Sequence, residues 1–204
     1  PGEYIEAVGW VGHDVWHAHC VQLNKGEIDL FARTNTGIAH CPCSNMRLAS
    51  GIAPVREMLD AGVNIGLGVD GSASNDSGHM LNEARQAMLL QRVMKTGDAL
   101  TARQSLAVAT RGGAAVLGRD DIGQLAPGFA ADIAAFDCRG VDFAGAAWDL
   151  LAGLLFCGSS KASYTIINGK IIVDQGQLLT MDVPKLLENH HAMTADLMRK
   201  AQWA

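Results

Sequence analysis

The sequence predicts an α/β chain: three strand–helix units followed by short β structure and a closing helix. Three observations carry this. Short apolar segments centred near residues 18, 39 and 67 alternate with helical patterns, as in a parallel sheet or barrel. The run Ile65-Gly66-Leu67-Gly68-Val69 breaks off at Asp70 into Gly71-Ser72-Ala73-Ser74-Asn75-Asp76, the behaviour of a buried strand running into a turn-rich rim. After Gly118 the texture changes, and Tyr164–Ile167, Asn168-Gly169 and Lys170–Val173 form a strong hairpin signal with a two-residue primed turn. Three strands cannot close a barrel, which needs about eight, so the sheet is either open and small or part of a longer chain.

In order, Val15–Val21 reads as a strand with His17 and His19 on one face and Ala18 on the other. Asn24 and Glu27 form a capping box for a helix carrying Ile28, Leu30, Phe31 and Ala32, which stops near Asn35-Thr36-Gly37. Gly37–Pro42 is a second strand, and Cys43–Arg47 a polar loop. Pro54 suits the first turn of a helix striped by Val55, Met58 and Leu59, and Gly62 suits its end. The strand closing at Asp70 follows. His79–Thr96 is amphipathic, with Met80, Ala84, Ala87, Met88 and Gln91 along one side. Thr101 and Gln104 open a helix to about Leu117, Ala131–Asp137 is a strand, and Pro184–Trp203 a helix with His190 and His191 on its surface.

The 204 residues are 49% hydrophobic, with a mean hydropathy of +0.11, enough for a sizeable core and against disorder. A formal charge of -5 and a pI near 5.7 leave no basic field for nucleic acid. No segment approaches the ~20 apolar residues of a membrane span, and Pro1-Gly2-Glu3-Tyr4 holds no signal-peptide core. The five cysteines are odd in number and scattered, which argues for a reducing compartment, the cytoplasm by default. Cys41 and Cys43 read as ordinary buried thiols.

Asp70 ends a buried strand where α/β barrels place their chemistry, so it is read as a metal ligand and proton acceptor; the plainer reading is a turn-forming Asp-Gly. His19 and His40 lie near the ends of the other two predicted strands, which brings His, His and Asp to one rim. His17-Ala18-His19 has the form of an H-x-H metal motif. Too few strands separate it from Asp70 for that role, and His17 is read as structural. Cytidine-type zinc chemistry is excluded: no H-x-E exists, and position 46 is methionine where P-C-x-x-C needs cysteine. The serine-hydrolase elbow, P-loop and dinucleotide fingerprint are absent.

His19-Cys20-Val21, Gly37-Ile38-Ala39-His40-Cys41-Pro42-Cys43-Ser44-Asn45-Met46-Arg47-Leu48 and Gly66-Leu67-Gly68-Val69-Asp70-Gly71 follow at intervals that resemble strands six, seven and eight of the amidohydrolase superfamily, in its deaminase and chlorohydrolase branch. Leu125-Ala126-Pro127-Gly128-Phe129-Ala130-Ala131-Asp132 resembles the point where such chains leave the barrel for a β-sandwich. The resemblance implies the last three βα units of a metal-dependent (β/α)8 barrel in residues 1–124, part of a small β-sandwich in 125–182, and a C-terminal helix in 183–204. It implies one divalent metal, zinc in most of the family, with Asp70 as a ligand and the remaining ligands and a general-acid Glu upstream of residue 1. His19 would hydrogen-bond the nucleophile or the developing charge, and His40, Ser44, Asn45 and Ser74 would bind substrate or support Asp70. The expected reaction is hydrolytic deamination of an aminated purine-like ring, 8-oxoguanine to urate and ammonia; a triazine or pterin ring is the alternative. A non-catalytic binding or assembly subunit is the alternative of another class. The expected partners are a small heterocyclic substrate, the N-terminal half of the barrel and further copies in a homo-oligomer.

Overall fold

The computed structural model describes residues 2–158 and 161–201. It is a mixed α/β chain whose contacts divide it into two compact units, residues 1–129 with 138–160 and residues 130–137 with 161–204.

The first unit begins with helix α1 (Gly2–Ala7) and is built around three parallel strands, β1 (Trp16–Ala18), β2 (Gly37–His40) and β3 (Ile65–Leu67), in the spatial order β1-β2-β3. His17 lies opposite Ile38, and Ile38 opposite Ile65. Helix α2 (Lys25–Thr34) links the first pair; both reciprocal hydrogen bonds of its N-terminal capping box, Asn24 with Glu27, are formed, and Asn35 closes it in the left-handed conformation. Helix α4 (Val55–Asp60) follows Pro54 and stops before Gly62, whose φ of 83° explains the glycine. Ile28, Leu30 and Phe31 of α2, Val55 and Met58 of α4, Ile38, Ile65 and Val108 form one buried cluster. Full burial of each large side chain stabilises by roughly 1.5–3 kcal/mol, so this cluster decides which way the strands and helices face.

The segment expected as a polar loop is instead a short helix, α3 (Pro42–Arg47). Pro42 occupies its first turn, where a missing N–H is harmless and φ is already helical. Two strand expectations also shorten. β1 stops at Ala18 because His19 and Cys20 turn left-handed, at φ 66° and 49°, and β3 stops three residues before Asp70. The strand alternation that would give His17 and His19 a common face therefore ends at Ala18. His17 is tied elsewhere, with Nε2 3.0 Å from the Trp10 carbonyl and its ring 5.4 Å from Phe31.

Helix α5 (Met80–Met94) buries Ala84, Ala87, Met88 and Gln91 as its periodicity predicts, while Met80 lies exposed at the first turn. Gln91 is polar on an apolar face for a reason: its side chain accepts from Arg56 N–H at 3.0 Å and donates to the Ala53 carbonyl at 3.0 Å, satisfying the start of α4. Thr101 and Gln104 cap α6 (Ala102–Ala107), and the helical path continues through a π turn at Val108–Gly112 into α7 (Gly113–Val116). Gly112 packs directly on the backbone of β3. Helix α8 (Leu150–Phe156), capped by Asp149, is held by Arg85, which donates to the carbonyls of Leu155 and Phe156 at 2.8 and 2.9 Å.

The second unit is an antiparallel sheet of β4 (Ile133–Ala135), β5 (Tyr164–Ile167), β6 (Lys170–Asp174) and β7 (Gln177–Leu178), in that spatial order. Asn168 and Gly169 both have positive φ, as the primed turn requires. Gln175-Gly176 repeats the device between β6 and β7, at φ 47° and 77°. Helix α9 (Val183–Lys200) starts from the Asp182 cap and ends with Arg199 and Lys200, which suit the negative pole of a helix; His190 and His191 are exposed on it. The expected end of this helix, at Trp203, lies outside the described residues. Among the described residues no helix is long and apolar enough to cross a membrane.

Candidate active site

Each strand end places one polar group, and the loops that follow tie them together. Asp70 follows β3 at φ 63°, a left-handed conformation that few non-glycine residues adopt and that often marks a functional position. Its Oδ2 accepts from the Ser44 hydroxyl at 2.5 Å and the Ser74 hydroxyl at 2.8 Å, and its Oδ1 from the Gly71 amide at 2.8 Å. The Ser44 and Ser74 bonds and then the Gly71 amide, with His19 adding a smaller part, hold the carboxyl down at about 2, so Asp70 is an anion at any physiological pH.

His19 Nε2 lies 3.7 Å from Asp70 Oδ2, and its Nδ1 is 2.8 Å from Asn45 Oδ1. With Nδ1 donating to that amide oxygen, a neutral ring turns the Nε2 lone pair toward the carboxylate side. An imidazole lone pair beside a carboxylate suits a cation or a proton-bearing water. Asn45 Nδ2 is buried without a hydrogen-bond partner among the described residues.

His40 is completely buried, and neither of its ring nitrogens has a partner among the described residues. Burial first, and His19 second, push its pKa down to about 4, so the ring is neutral near pH 7. The unfolded chain, with an ordinary histidine, binds that proton more readily. Stability therefore falls as pH drops through the window from about 6.5 to about 4, by up to about 3 kcal/mol. Urea melts at pH 5 and pH 7.5 should show this loss, and His40→Gln should flatten the slope between them.

The residues singled out from sequence thus divide. Asp70, His19, Ser44, Asn45 and Ser74 are linked by hydrogen bonds or the 3.7 Å contact into one cluster, whereas His40 stands apart from that bonding. Sequence reasoning missed a second layer. Asn75 Nδ2 donates to the Val69 carbonyl at 2.7 Å and to Glu83 Oε1 at 2.6 Å, and Glu83 Oε2 accepts from Cys43 N–H at 3.1 Å. Nothing in the spacing of positions 43, 75 and 83 announces a network, because its members come from three different elements. Ser44→Ala deletes the 2.5 Å bond to Asp70, the largest of the contributions that hold its carboxyl down, so NMR titration should find that carboxyl protonating at a higher pH than in the parent.

As to a metal, among the described residues no group of three His, Cys, Asp or Glu side chains could hold one. Asp70 nevertheless fits as a single ligand: it is anionic, partly exposed, and three donors occupy its roughly four acceptor directions, leaving one free.

Residues 2–172 match the sequence model of the amidohydrolase family. The chain belongs to that family. An 8-oxoguanine deaminase from Pseudomonas aeruginosa is 45% identical over 196 residues, 96% of this chain and 43% of the relative. A 5-methylthioadenosine/S-adenosylhomocysteine deaminase from Pelotomaculum thermopropionicum is 45% identical over 190 residues, 92% of this chain and 43% of that protein. Among solved structures, an atrazine chlorohydrolase from Arthrobacter aurescens TC1 complexed with zinc superposes with a TM-score of 0.88 at 40% identity, over 94% of this chain and 43% of that one. The chain thus spans less than half the length of these amidohydrolase relatives.

Proposed function

We propose that this chain is the C-terminal portion of a metal-dependent amidohydrolase that deaminates an aminated purine-like ring, 8-oxoguanine to urate and ammonia in the first instance. The observation that carries the proposal is the Asp70 carboxylate, kept ionised by three donors and set 3.7 Å from His19. The 45% identity to an 8-oxoguanine deaminase supports the choice of ring. In this reading β1, β2 and β3 are the last three strands of a (β/α)8 barrel, ending near residue 124. The antiparallel sheet within 125–182 belongs to a β-sandwich, and 183–204 is its closing helix. The N-terminal half of the barrel completes the site, and the assembled enzyme is a cytoplasmic homo-oligomer.

Asp70 would hold the metal, zinc by analogy with the relative's structure, together with ligands from the preceding half of the protein. When bound, a divalent zinc lowers the pKa of water toward neutrality. Asp70 then takes a proton from the attacking water. Asp70 would then give that proton to the departing amine, while the general-acid Glu expected upstream of residue 1 would protonate the ring nitrogen, so that ammonia leaves. His19 Nε2, oriented through Nδ1 by Asn45, accepts a hydrogen bond from the nucleophilic water and, once it has gained a proton, donates to the charge that develops on attack. Ser44 and Ser74 keep the carboxylate from rotating.

The likeness to an atrazine chlorohydrolase favours one second reading, hydrolysis of a triazine substituent. The test is a substrate panel on the full-length enzyme: 8-oxoguanine, isoxanthopterin, 5-methylthioadenosine and atrazine, with ammonia and chloride release measured. Ammonia from 8-oxoguanine well above the rest supports the proposal, chloride from atrazine favours the second reading, and a folded protein inert to all four overturns both.

A further inference from the structure

Glu83 on α5 is wholly buried, yet among the described residues it takes part in no ion pair. An unpaired carboxylate in such a place is costly unless hydrogen bonds compensate, and here they come from both loops that build the site. Its Oε2 accepts from Cys43 N–H, and Cys43 immediately precedes Ser44, the donor to Asp70. Its Oε1 accepts from Asn75 Nδ2, which spends its other hydrogen on the carbonyl of Val69, immediately before Asp70. Burial first and Glu83 second push the Cys43 thiol up to about 12. One buried group therefore grips the residue before the metal-ligand candidate and the residue before its principal hydrogen-bond donor. Had packing alone been required at this position, an apolar side chain would have met it without the desolvation penalty.

We propose that Glu83 is a positioning residue for the reaction assigned to this site: through Asn75 and the Cys43 amide it fixes the Asp70 carboxylate and the Ser44 hydroxyl relative to each other while touching no substrate itself. The inference rests on the reading of Asp70 as a ligand. Glu83→Gln keeps the volume but replaces one oxygen by an NH₂ group. Facing donors on both sides, that group must break either the Asn75 arm or the Cys43 arm.

In the full-length, zinc-supplied enzyme, Glu83→Gln is expected to lower kcat about 10–100-fold and to weaken zinc affinity in chelator competition, with KM changed by less than about twofold. Asn75→Ala, which cuts one arm, should do the same, and adding it to Glu83→Leu, which cuts both arms, should cost nothing further in that double variant. Ser105→Ala removes a buried α6 hydroxyl bonded at 2.5 Å to the Ala84 carbonyl of α5, the helix that carries Glu83, so it should lower the melting temperature and leave kcat unchanged. A kcat for Glu83→Gln within about twofold of the parent would overturn the proposal, as would losses that multiply in the double variant or that Ser105→Ala reproduces. Should Glu83→Gln fail to fold, Asn75→Ala decides alone: a reduced kcat supports the relay and an unchanged one overturns it. If Asp70→Asn keeps activity in the same assay, the reading of the site fails; if Asp70→Asn is dead and Glu83→Gln is normal, only the relay fails.

Discussion

Asp70→Asn in the full-length protein is expected to lower kcat/KM for the proposed purine substrate by about 10³-fold or more while leaving the fold intact. The substitution isolates charge from shape. Asparagine tolerates the left-handed backbone at φ 63° better than most residues, so the loop keeps its path. The side chain is partly exposed, so no buried cavity is created. The change is electronic: a neutral amide cannot take the water proton, binds a cation poorly, and can turn an NH₂ group toward two serine hydroxyls that previously donated. Ammonia release and bound zinc would be measured on the same preparation, with far-ultraviolet circular dichroism to show that folding is unchanged. Near-parental turnover would remove Asp70 from the chemistry.

Gly112→Ala is expected to destabilise the protein by about 3 kcal/mol or more, although alanine is normally the better helix residue by about 1 kcal/mol. Gly112 has ordinary helical dihedrals, so the backbone itself gives no reason for glycine. The reason is contact: a Cβ there would sit 2.0 Å from the Ile65 carbonyl oxygen and 3.2 Å from its carbon. Both belong to the backbone of β3, which cannot step aside without moving the strand that leads to Asp70. Its neighbour Gly113 provides the control, since a Cβ there meets nothing within 4 Å. Gly113→Ala should be neutral or stabilising by up to about 1 kcal/mol. Thermal melts of the pair should move in opposite directions, with the Gly112 variant falling by roughly 6–12 °C if 3 kcal/mol is lost. Equal shifts would mean that the close approach to β3 does not govern stability.

What could be read from the sequence was what local chemistry decides. Asn24 with Glu27, Thr101 with Gln104 and the Asn168-Gly169 turn each specify their own geometry within a few residues, and each forms as expected. The strand-end residues were found for a similar reason, since an apolar run that stops at a carboxylate is visible without a fold. Three things were not legible. The short helix at Pro42–Arg47 has too few residues for a helical period to show. The Gln175-Gly176 turn lacks the asparagine or aspartate that usually marks positive φ, and tertiary pairing of β6 with β7 supplies what propensity does not. The Glu83 network and the Gly112 contact join residues 40 and 47 positions apart, so only three-dimensional packing reveals them.

Anomalous diffraction at the zinc edge, from crystals of the full-length protein shown to deaminate the proposed purine, tests the central claim most directly. A single peak about 2.0–2.2 Å from an Asp70 carboxylate oxygen is the predicted result. An active enzyme whose only zinc peak lies beyond about 4 Å from that carboxylate, outside any coordination distance, would contradict it.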